Sequence, residues 1–152
     1  MLAAQVHRAC LVAGAGEGES ELNAFDAALL AAGIGDLNLV RVTSIMPPHV
    51  ELTTTPPQLA PGTFVLVVYS TRTSSTPGEQ LAAAVAVGRA ADGVGVIMEA
   101  HGQTRHQAET AAKAKVESAF RARHLHLAGV EVAAAEHRVR RCGGVVAACL
   151  FF

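Results

Sequence analysis

The chain has no tryptophan and only one tyrosine, and just 16% of its 152 residues are charged. Its formal net charge is −1, and the charges form no basic tail or stripe of the kind that binds nucleic acid. No apolar run approaches the roughly 18 residues that a transmembrane helix needs. The start of the chain also lacks the basic, apolar and small-residue order of a signal peptide. We therefore expect a cytoplasmic protein with no nucleic-acid or membrane partner.

Cysteine is scarce as well, and its pattern argues against both a cysteine metal site and a disulfide framework. Cys10, Cys142 and Cys149 are odd in number and lack the CxxC spacing of metal sites. We interpret them as buried thiols of a reducing compartment rather than as a disulfide framework. The seven histidines join no His/Cys/Asp group with metal spacing, so we expect no metal site.

Apolar residues, by contrast, are abundant. About half of the chain is hydrophobic (51%), which suffices for one domain over residues 1–152 with a sizeable core. So much apolar surface on a small protein favours an oligomer that covers part of it.

Apolar periodicity and turn residues predict alternating strands and helices. Strands are expected at residues 6–13, 37–45, 64–69, 94–99, 130–135 and 144–151. Helices are expected after the N-cap Ser20 up to Gly33, at 77–91 and at 104–123, and a polar, proline-rich loop at 53–61. This alternation by itself permits a doubly wound sheet.

Residues 37–48, with the sequence LNLVRVTSIMPP, are the most informative segment. They predict a strand that runs into Thr43 and Ser44 and stops at a double proline. A serine at such a corner can be held in a strained, exposed geometry, from which its hydroxyl can attack the preceding carbonyl. That is the chemistry of self-cleaving chains, although Thr43 and Ser44 also suit a plain strand end.

This segment belongs to a longer series of motifs. GEGESELNAFDAAL at 16–29 and AGIG at 32–35 precede it, while SSTPG at 74–78, GVIMEAHG at 95–102 and VVAACLFF at 145–152 follow it. In this order the motifs resemble the pyruvoyl-dependent arginine decarboxylases over nearly the whole chain. The resemblance implies an α+β fold, a four-layer αββα sandwich, and a homotrimer with active sites between subunits.

The same resemblance implies a cofactor made from the chain itself. Cleavage between Thr43 and Ser44 would give chains 1–43 and 44–152, with Ser44 converted into a covalent pyruvoyl group. That group would form a Schiff base with L-arginine and yield agmatine and CO₂. Such families usually carry serine before the cleaved serine, and this chain has Thr43, whose β-branched side chain is expected to affect only the rate of processing.

Two carboxylates are implied to complete the catalytic site. Glu99 matches the family's proton donor, and burial at a strand end would raise its pKa; the alternative is a solvated surface charge. Asp26 matches the residue that binds the substrate guanidinium. Helical spacing from Leu22, Leu29 and Leu30 places Asp26 at or beside an apolar stripe, where an unpaired charge is costly. The alternative is a partner within the protein, such as Arg41, or a position at the rim of the stripe.

Asn38 matches a family residue implicated in self-processing, where its amide would stabilise an oxyanion. Strand parity puts it on the same face as Ser44, but a straight strand separates the two by roughly 20 Å. We therefore expect either a sharp bend or an action of Asn38 on Ser44 of a neighbouring subunit. A turn-capping role for Asn38 also fits.

The glycine-rich segment 14–18 precedes the first helix as a phosphate-binding loop would. Glu17, Glu19 and Glu21 repel phosphate there, so we interpret the glycines as sites of tight turns and close packing. Two alternatives to an arginine decarboxylase stay open: the same chemistry on another amino acid, and an uncleaved relative that serves as a binding or structural trimer.

Overall fold

The computed structural model describes residues 6–152, which contain two helices and nine strands in an α+β fold. Residues 1–5 of the predicted single domain lie outside the described range. The helices are α1 (Glu21–Ala31) and α2 (Arg105–Ala122). The strands are β1 (Arg8–Glu17), β2 (Asn38–Arg41), β3 (Ile45–Met46), β4 (Glu51–Thr53), β5 (Phe64–Ser74), β6 (Gln80–Arg89), β7 (Gly95–Gly102), β8 (Gly129–Arg138) and β9 (Gly143–Phe151).

The strands form two sheets. A five-stranded sheet has the order β2-β5-β9-β1-β4, and its two edge strands run parallel to their neighbours while its centre is antiparallel. A four-stranded antiparallel sheet has the order β3-β7-β6-β8. The strands do not alternate with helices as parallel crossover units, so the doubly wound arrangement that the periodicity permitted does not occur.

Three apolar clusters hold these elements together. The cluster between the two sheets includes Val68 and Cys149 from the five-stranded sheet and Val85 and Ile97 from the four-stranded sheet. A second cluster joins α1 to the other face of the five-stranded sheet. A third joins α2 to the other face of the four-stranded sheet.

Helix α1 begins where the sequence predicts and packs unusually close to its sheet. The Ser20 hydroxyl accepts a 3.1 Å hydrogen bond from the N–H of Asn23, as expected of an N-cap. A Cβ added to Gly14 would lie 2.3 Å from the carbonyl oxygen of Ala28, so only glycine allows the helix this near. Because β1 continues to Glu17, Gly14 and Gly16 lie in a strand, so the predicted tight turns are wrong there, whereas the predicted close packing is confirmed.

The helix predicted at residues 77–91 is wrong, because these residues form β6 in the middle of the four-stranded sheet. Alanine favours helices in isolation, but here alternate residues pack into different clusters. Leu81, Ala83, Val85 and Val87 face the other sheet, whereas Ala82, Ala84 and Ala86 lie under α2. Small side chains on that face let α2 approach, so tertiary packing overrides intrinsic propensity.

The helix predicted at 104–123 is confirmed. The Thr104 hydroxyl accepts from the N–H of Gln107, and the Gln107 side chain accepts from the N–H of Thr104, which completes a capping box. In the part of the chain that the structure describes, no helix is long and apolar enough to cross a membrane.

The cysteines are free thiols, and two of them are buried as expected. Burial raises the pKa of Cys10 to about 11 and that of Cys149 to about 12. Cys142 is only partly buried.

Candidate active site

The peptide bond between Thr43 and Ser44 lies where the chain passes from one sheet to the other. On one side, the N–H of Val42 donates a 3.0 Å hydrogen bond to the carbonyl oxygen of Val67 in the five-stranded sheet. On the other side, the carbonyl oxygen of Ser44 accepts a 2.7 Å hydrogen bond from the N–H of Ile97 in the four-stranded sheet. The single strand predicted at 37–45 is therefore wrong: β2 ends at Arg41, and β3 begins at Ile45 in the opposite sheet.

The double proline follows β3 and ends it, but the predicted backbone strain lies elsewhere. Among the described residues other than glycine, only His49 (φ 65°) and His124 (φ 54°) have a positive φ, so Ser44 itself is not left-handed. What distinguishes Ser44 is a bend, partial burial and the change of sheet, with an exposed Thr43 before it.

Glu99 stands close to Ser44 in the four-stranded sheet. The register of β3 with β7 pairs Ile45 with Val96, and one further step places Ser44 opposite Ile97. Glu99 shares the strand face of Ile97, which packs between the sheets, so it is diagonal to Ser44 in this register. Diagonal residues of a regular antiparallel pair are about 7–8 Å apart. Two side chains that face one space at this distance can act on the same small substrate.

The environment of Glu99 differs from the expected strand end. β7 continues three residues beyond it to Gly102, and its side chain is only partly buried. The Nζ of Lys115 on α2 donates a 2.9 Å hydrogen bond to the backbone oxygen of Glu99 rather than to its carboxylate. Among residues 6–152 that carboxylate has no ion pair or side-chain hydrogen bond.

Asn38 begins β2, and its side chain is exposed. Its Nδ2 donates a 2.9 Å hydrogen bond to the carbonyl oxygen of Gly62, a turn glycine with φ +83°. This is the turn-capping contact that the sequence left open. Because an amide nitrogen carries two hydrogens, one N–H remains for another acceptor.

Asp26 is exposed, and of the three leucines that define its predicted apolar stripe only Leu29 is buried. Leu22 and Leu30, one turn before and after it, are 76% and 56% exposed. The buried residues of α1 are Ala24, Ala28 and Leu29, so Asp26 lies outside the buried stripe, which fits the rim position that the sequence left open. Within residues 6–152, Asp26 makes no ion pair or side-chain hydrogen bond, and Arg41, its suggested partner, points to Tyr69 instead.

Asp26 and Glu99 are therefore on opposite sides of the five-stranded sheet. Helix α1 covers the outer face of this sheet, whereas Glu99 belongs to the sheet that packs on its inner face. The fold of the single chain therefore brings Glu99 near Ser44 and leaves Asp26 on the outer surface.

An aromatic column next to the crossing was not predicted. The rings of Phe25 and Tyr69 stack with centroids 6.2 Å apart, and the guanidinium of Arg41 lies 4.2 Å from the Tyr69 centroid. Arg41 also donates a hydrogen bond to the carbonyl oxygen of Tyr69. The only sequence signal was an arginine two residues before Thr43, because sequence spacing does not show which aromatic residue it meets.

A second polar cluster, around Glu17, was also missed. The Glu17 carboxylate lies 2.6 Å from Nε2 of His137 and accepts from the N–H groups of Arg140 and Arg141 at 2.8 and 3.1 Å. Burial by itself raises the pKa of Glu17, but these N–H donors and His137 outweigh it and lower the pKa to about 2. The adjoining cavity of about 390 Å³ is lined by Glu17, Gly18, Glu19, Arg140 and Arg141, none of which belongs to the Ser44 site.

Comparison with known proteins places the chain in one family. The family described as pyruvoyl-dependent arginine decarboxylase matches residues 8–152. A relative with that name from Methanocaldococcus jannaschii is 42% identical over 91% of this chain and 85% of its own length. Relatives of the same name from Methanothermobacter thermautotrophicus and Pyrococcus abyssi are 36% and 37% identical, over 96% and 95% of this chain and 97% and 94% of their own lengths. The chain belongs to the pyruvoyl-dependent arginine decarboxylase family.

Proposed function

We propose that this protein is a self-cleaving decarboxylase that converts L-arginine to agmatine and CO₂. Membership of the family supports the reaction and the pyruvoyl cofactor. The structural observation that carries the proposal is the position of the peptide bond between Thr43 and Ser44, which is anchored in a different sheet on each side.

Self-cleavage begins with Ser44. Its Oγ attacks the carbonyl carbon of Thr43, and the peptide bond is exchanged for an ester. β-Elimination then breaks the ester, releases Thr43 as a carboxylate and leaves a dehydroalanine that water hydrolyses to a pyruvoyl group and ammonia. The products are chains 1–43 and 44–152. Hydrogen bonds on both sides of this bond restrict its motion, which favours an intramolecular attack.

The residues around Ser44 fit a small electrophilic group. The pyruvoyl ketone supplies a covalent attachment for the substrate amine and a sink for the electrons left when CO₂ departs. Glu99 faces the same space between the sheets and delivers a proton to the substrate α-carbon. Its partial burial keeps it accessible to a substrate.

Substrate recognition falls to Asp26, whose carboxylate can accept two hydrogen bonds from a planar guanidinium. Since Asp26 lies on the outer side of its own protomer, it serves the Ser44 site of a neighbouring subunit. Exposed apolar side chains support such contacts: Leu22 is 76% exposed and Phe64 is 75% exposed. A homotrimer with active sites between subunits satisfies both requirements. Asn38 uses its free N–H on the oxyanion formed at the neighbouring cleavage site.

The four-layer αββα sandwich belongs to the same proposal. The three apolar clusters support the order α1, five-stranded sheet, four-stranded sheet, α2. In this order the cleavage site lies at one edge of the two central layers.

Mass spectrometry of the purified protein, combined with an assay for agmatine, tests the function. We expect two chains whose masses correspond to residues 1–43 and to a pyruvoyl-blocked 44–152, and agmatine formed from L-arginine. An intact chain without activity would indicate an uncleaved binding or structural relative. Two chains that decarboxylate a different amino acid would reject only the substrate.

A further inference from the structure

The pairing of β2 with β5 leaves one carbonyl without its regular partner. In this parallel ladder, N–H groups of alternate β2 residues donate to alternate β5 carbonyls, and the last such bond joins Val42 to Val67. Two residues further along each strand, the next bond would join the N–H of Ser44 to the carbonyl oxygen of Tyr69. The ladder stops before that bond because Ser44 turns to the other sheet.

The side chain of Arg41 takes that place. Its Nη2 donates to the carbonyl oxygen of Tyr69, and its guanidinium lies over the Tyr69 ring at 4.2 Å. Stacking of Tyr69 on Phe25 holds the ring against α1. The carbonyl that continued pairing would offer to the N–H of Ser44 thus already accepts a hydrogen bond from Arg41. The carbonyl oxygen of Ser44 is turned to the other sheet, where it accepts from the N–H of Ile97.

We propose that Arg41 is a positioning residue for self-cleavage. By occupying the Tyr69 carbonyl, it keeps the backbone of Ser44 off β5 and directs it across to β7. This rests on the proposed function, because it assigns Arg41 a part in the cleavage before Ser44. Arg41 does not touch the reacting atoms; its guanidinium affects cleavage only by determining where the backbone of Ser44 lies.

Loss of the guanidinium has a definite physical consequence. An open Tyr69 carbonyl competes for the N–H of Ser44, and pairing there would draw the serine toward the five-stranded sheet. The attack on Thr43 requires near-contact geometry, and a misplacement of about 1 Å can slow such a step by about a hundredfold. We expect at least about a tenfold slower cleavage in Arg41→Met, which keeps the apolar stem and removes the donor.

The test follows the disappearance of the uncleaved chain after synthesis in a cell-free system, by electrophoresis and mass spectrometry. Arg41→Lys retains a charged donor and should restore much of the rate. Arg8→Met is the matched control, since Arg8 is likewise an exposed arginine whose guanidinium is bonded, here to Glu51, but it lies on β1, next to the edge strand β4 at the far side of the sheet. It should cleave at the normal rate.

Unfolding measurements on uncleaved chains distinguish this positioning role of Arg41 from a purely structural one. In a Ser44→Ala background, Arg41→Met and Arg8→Met should lower the melting temperature to a similar small extent, while only Arg41→Met slows cleavage in the native background. If the wild-type chain is cleaved and Arg41→Met is cleaved at the same rate, the inference about Arg41 is overturned, whereas the proposed function still holds. Failure of the wild-type chain to cleave before Ser44 would overturn both. If Arg41→Met is insoluble, Arg41→Gln, which is polar but too short to hold the same carbonyl and ring, gives the same comparison.

Discussion

The N–H of Ile97 donates a 2.7 Å hydrogen bond to the carbonyl oxygen of Ser44 and so joins the serine to the four-stranded sheet immediately after the chain has left the five-stranded one. This bond places Ser44 beside the strand that carries Glu99, two residues beyond Ile97. We expect the two proposed chains to stay attached after cleavage, because β1 and β2 of residues 1–43 are hydrogen-bonded to β9 and β5 of residues 44–152.

Ser44→Ala tests maturation. Removing the attacking oxygen should leave a folded, intact and inactive chain, visible as a single mass. Thr43→Ser is the control, because Thr43 contributes only its carbonyl and this variant should still cleave. A two-chain pattern in Ser44→Ala would reject Ser44 as the nucleophile.

Glu99→Gln tests proton delivery. The amide keeps the shape of the side chain but cannot donate a carboxyl proton, so turnover of cleaved enzyme should fall by about a hundredfold. Steady-state agmatine formation measures this, with Glu117→Gln on the exposed face of α2 as a control that should be normal. Near-normal turnover in cleaved Glu99→Gln would remove Glu99 from this role.

Asp26→Asn tests specificity. Loss of the charge should weaken arginine binding by about 2–3 kcal/mol, or roughly 30- to 150-fold. The loss should appear mainly in KM if the contact is equal in the ground and transition states, and self-cleavage should continue. Asp36→Asn, also an exposed aspartate, is the control. Unchanged kinetics in Asp26→Asn would make Asp26 a surface carboxylate.

Glu17 predicts a pH dependence of stability. Its pKa is lowered from 4.5 to about 2 in the folded protein, so the charged carboxylate stabilises the fold above pH 4.5. That contribution is lost as the pH falls from 4.5 toward 2, because the unfolded chain binds the proton more tightly. Melting temperatures of the wild type and Glu17→Gln should therefore differ most above pH 4.5 and converge below it. A difference that does not change with pH would contradict this.

Gly14→Ala tests the close approach of α1. The new Cβ would lie 2.3 Å from the carbonyl oxygen of Ala28, so the helix must move and the free energy of unfolding should fall by about 1–3 kcal/mol. Gly129→Ala, where a Cβ meets no atom within 4 Å, should have little effect. Chemical denaturation of both variants in the Ser44→Ala background compares them without cleavage.

The sequence by itself determined the parts of this protein that depend on local interactions. Ser20 and Thr104 cap their helices through atoms three residues away, and alternation and turn residues located most strands within a few positions. The series of motifs around Ser44 resembles the family closely enough to indicate it without any coordinates, and the match over residues 8–152 confirms it. The close packing of the glycines in 14–18 was also predicted, because the neighbouring glutamates would repel a phosphate and glycine has no side chain to prevent a close approach.

Only the tertiary structure decided what depends on neighbours distant in sequence. The alanine-rich residues of β6 form a strand because two apolar layers cover them, against their preference for helix. The strand predicted through residue 45 ends at Arg41, and the carbonyl oxygen of Ser44 accepts from Ile97 in the other sheet, a partner that the local sequence cannot specify. Asp26 is exposed because α1 turns its alanines, rather than Leu22 and Leu30, toward the sheet. In each case the conformation is determined by packing or hydrogen bonding between segments that are far apart in sequence. The periodicity of residues within one segment contains no information about these contacts.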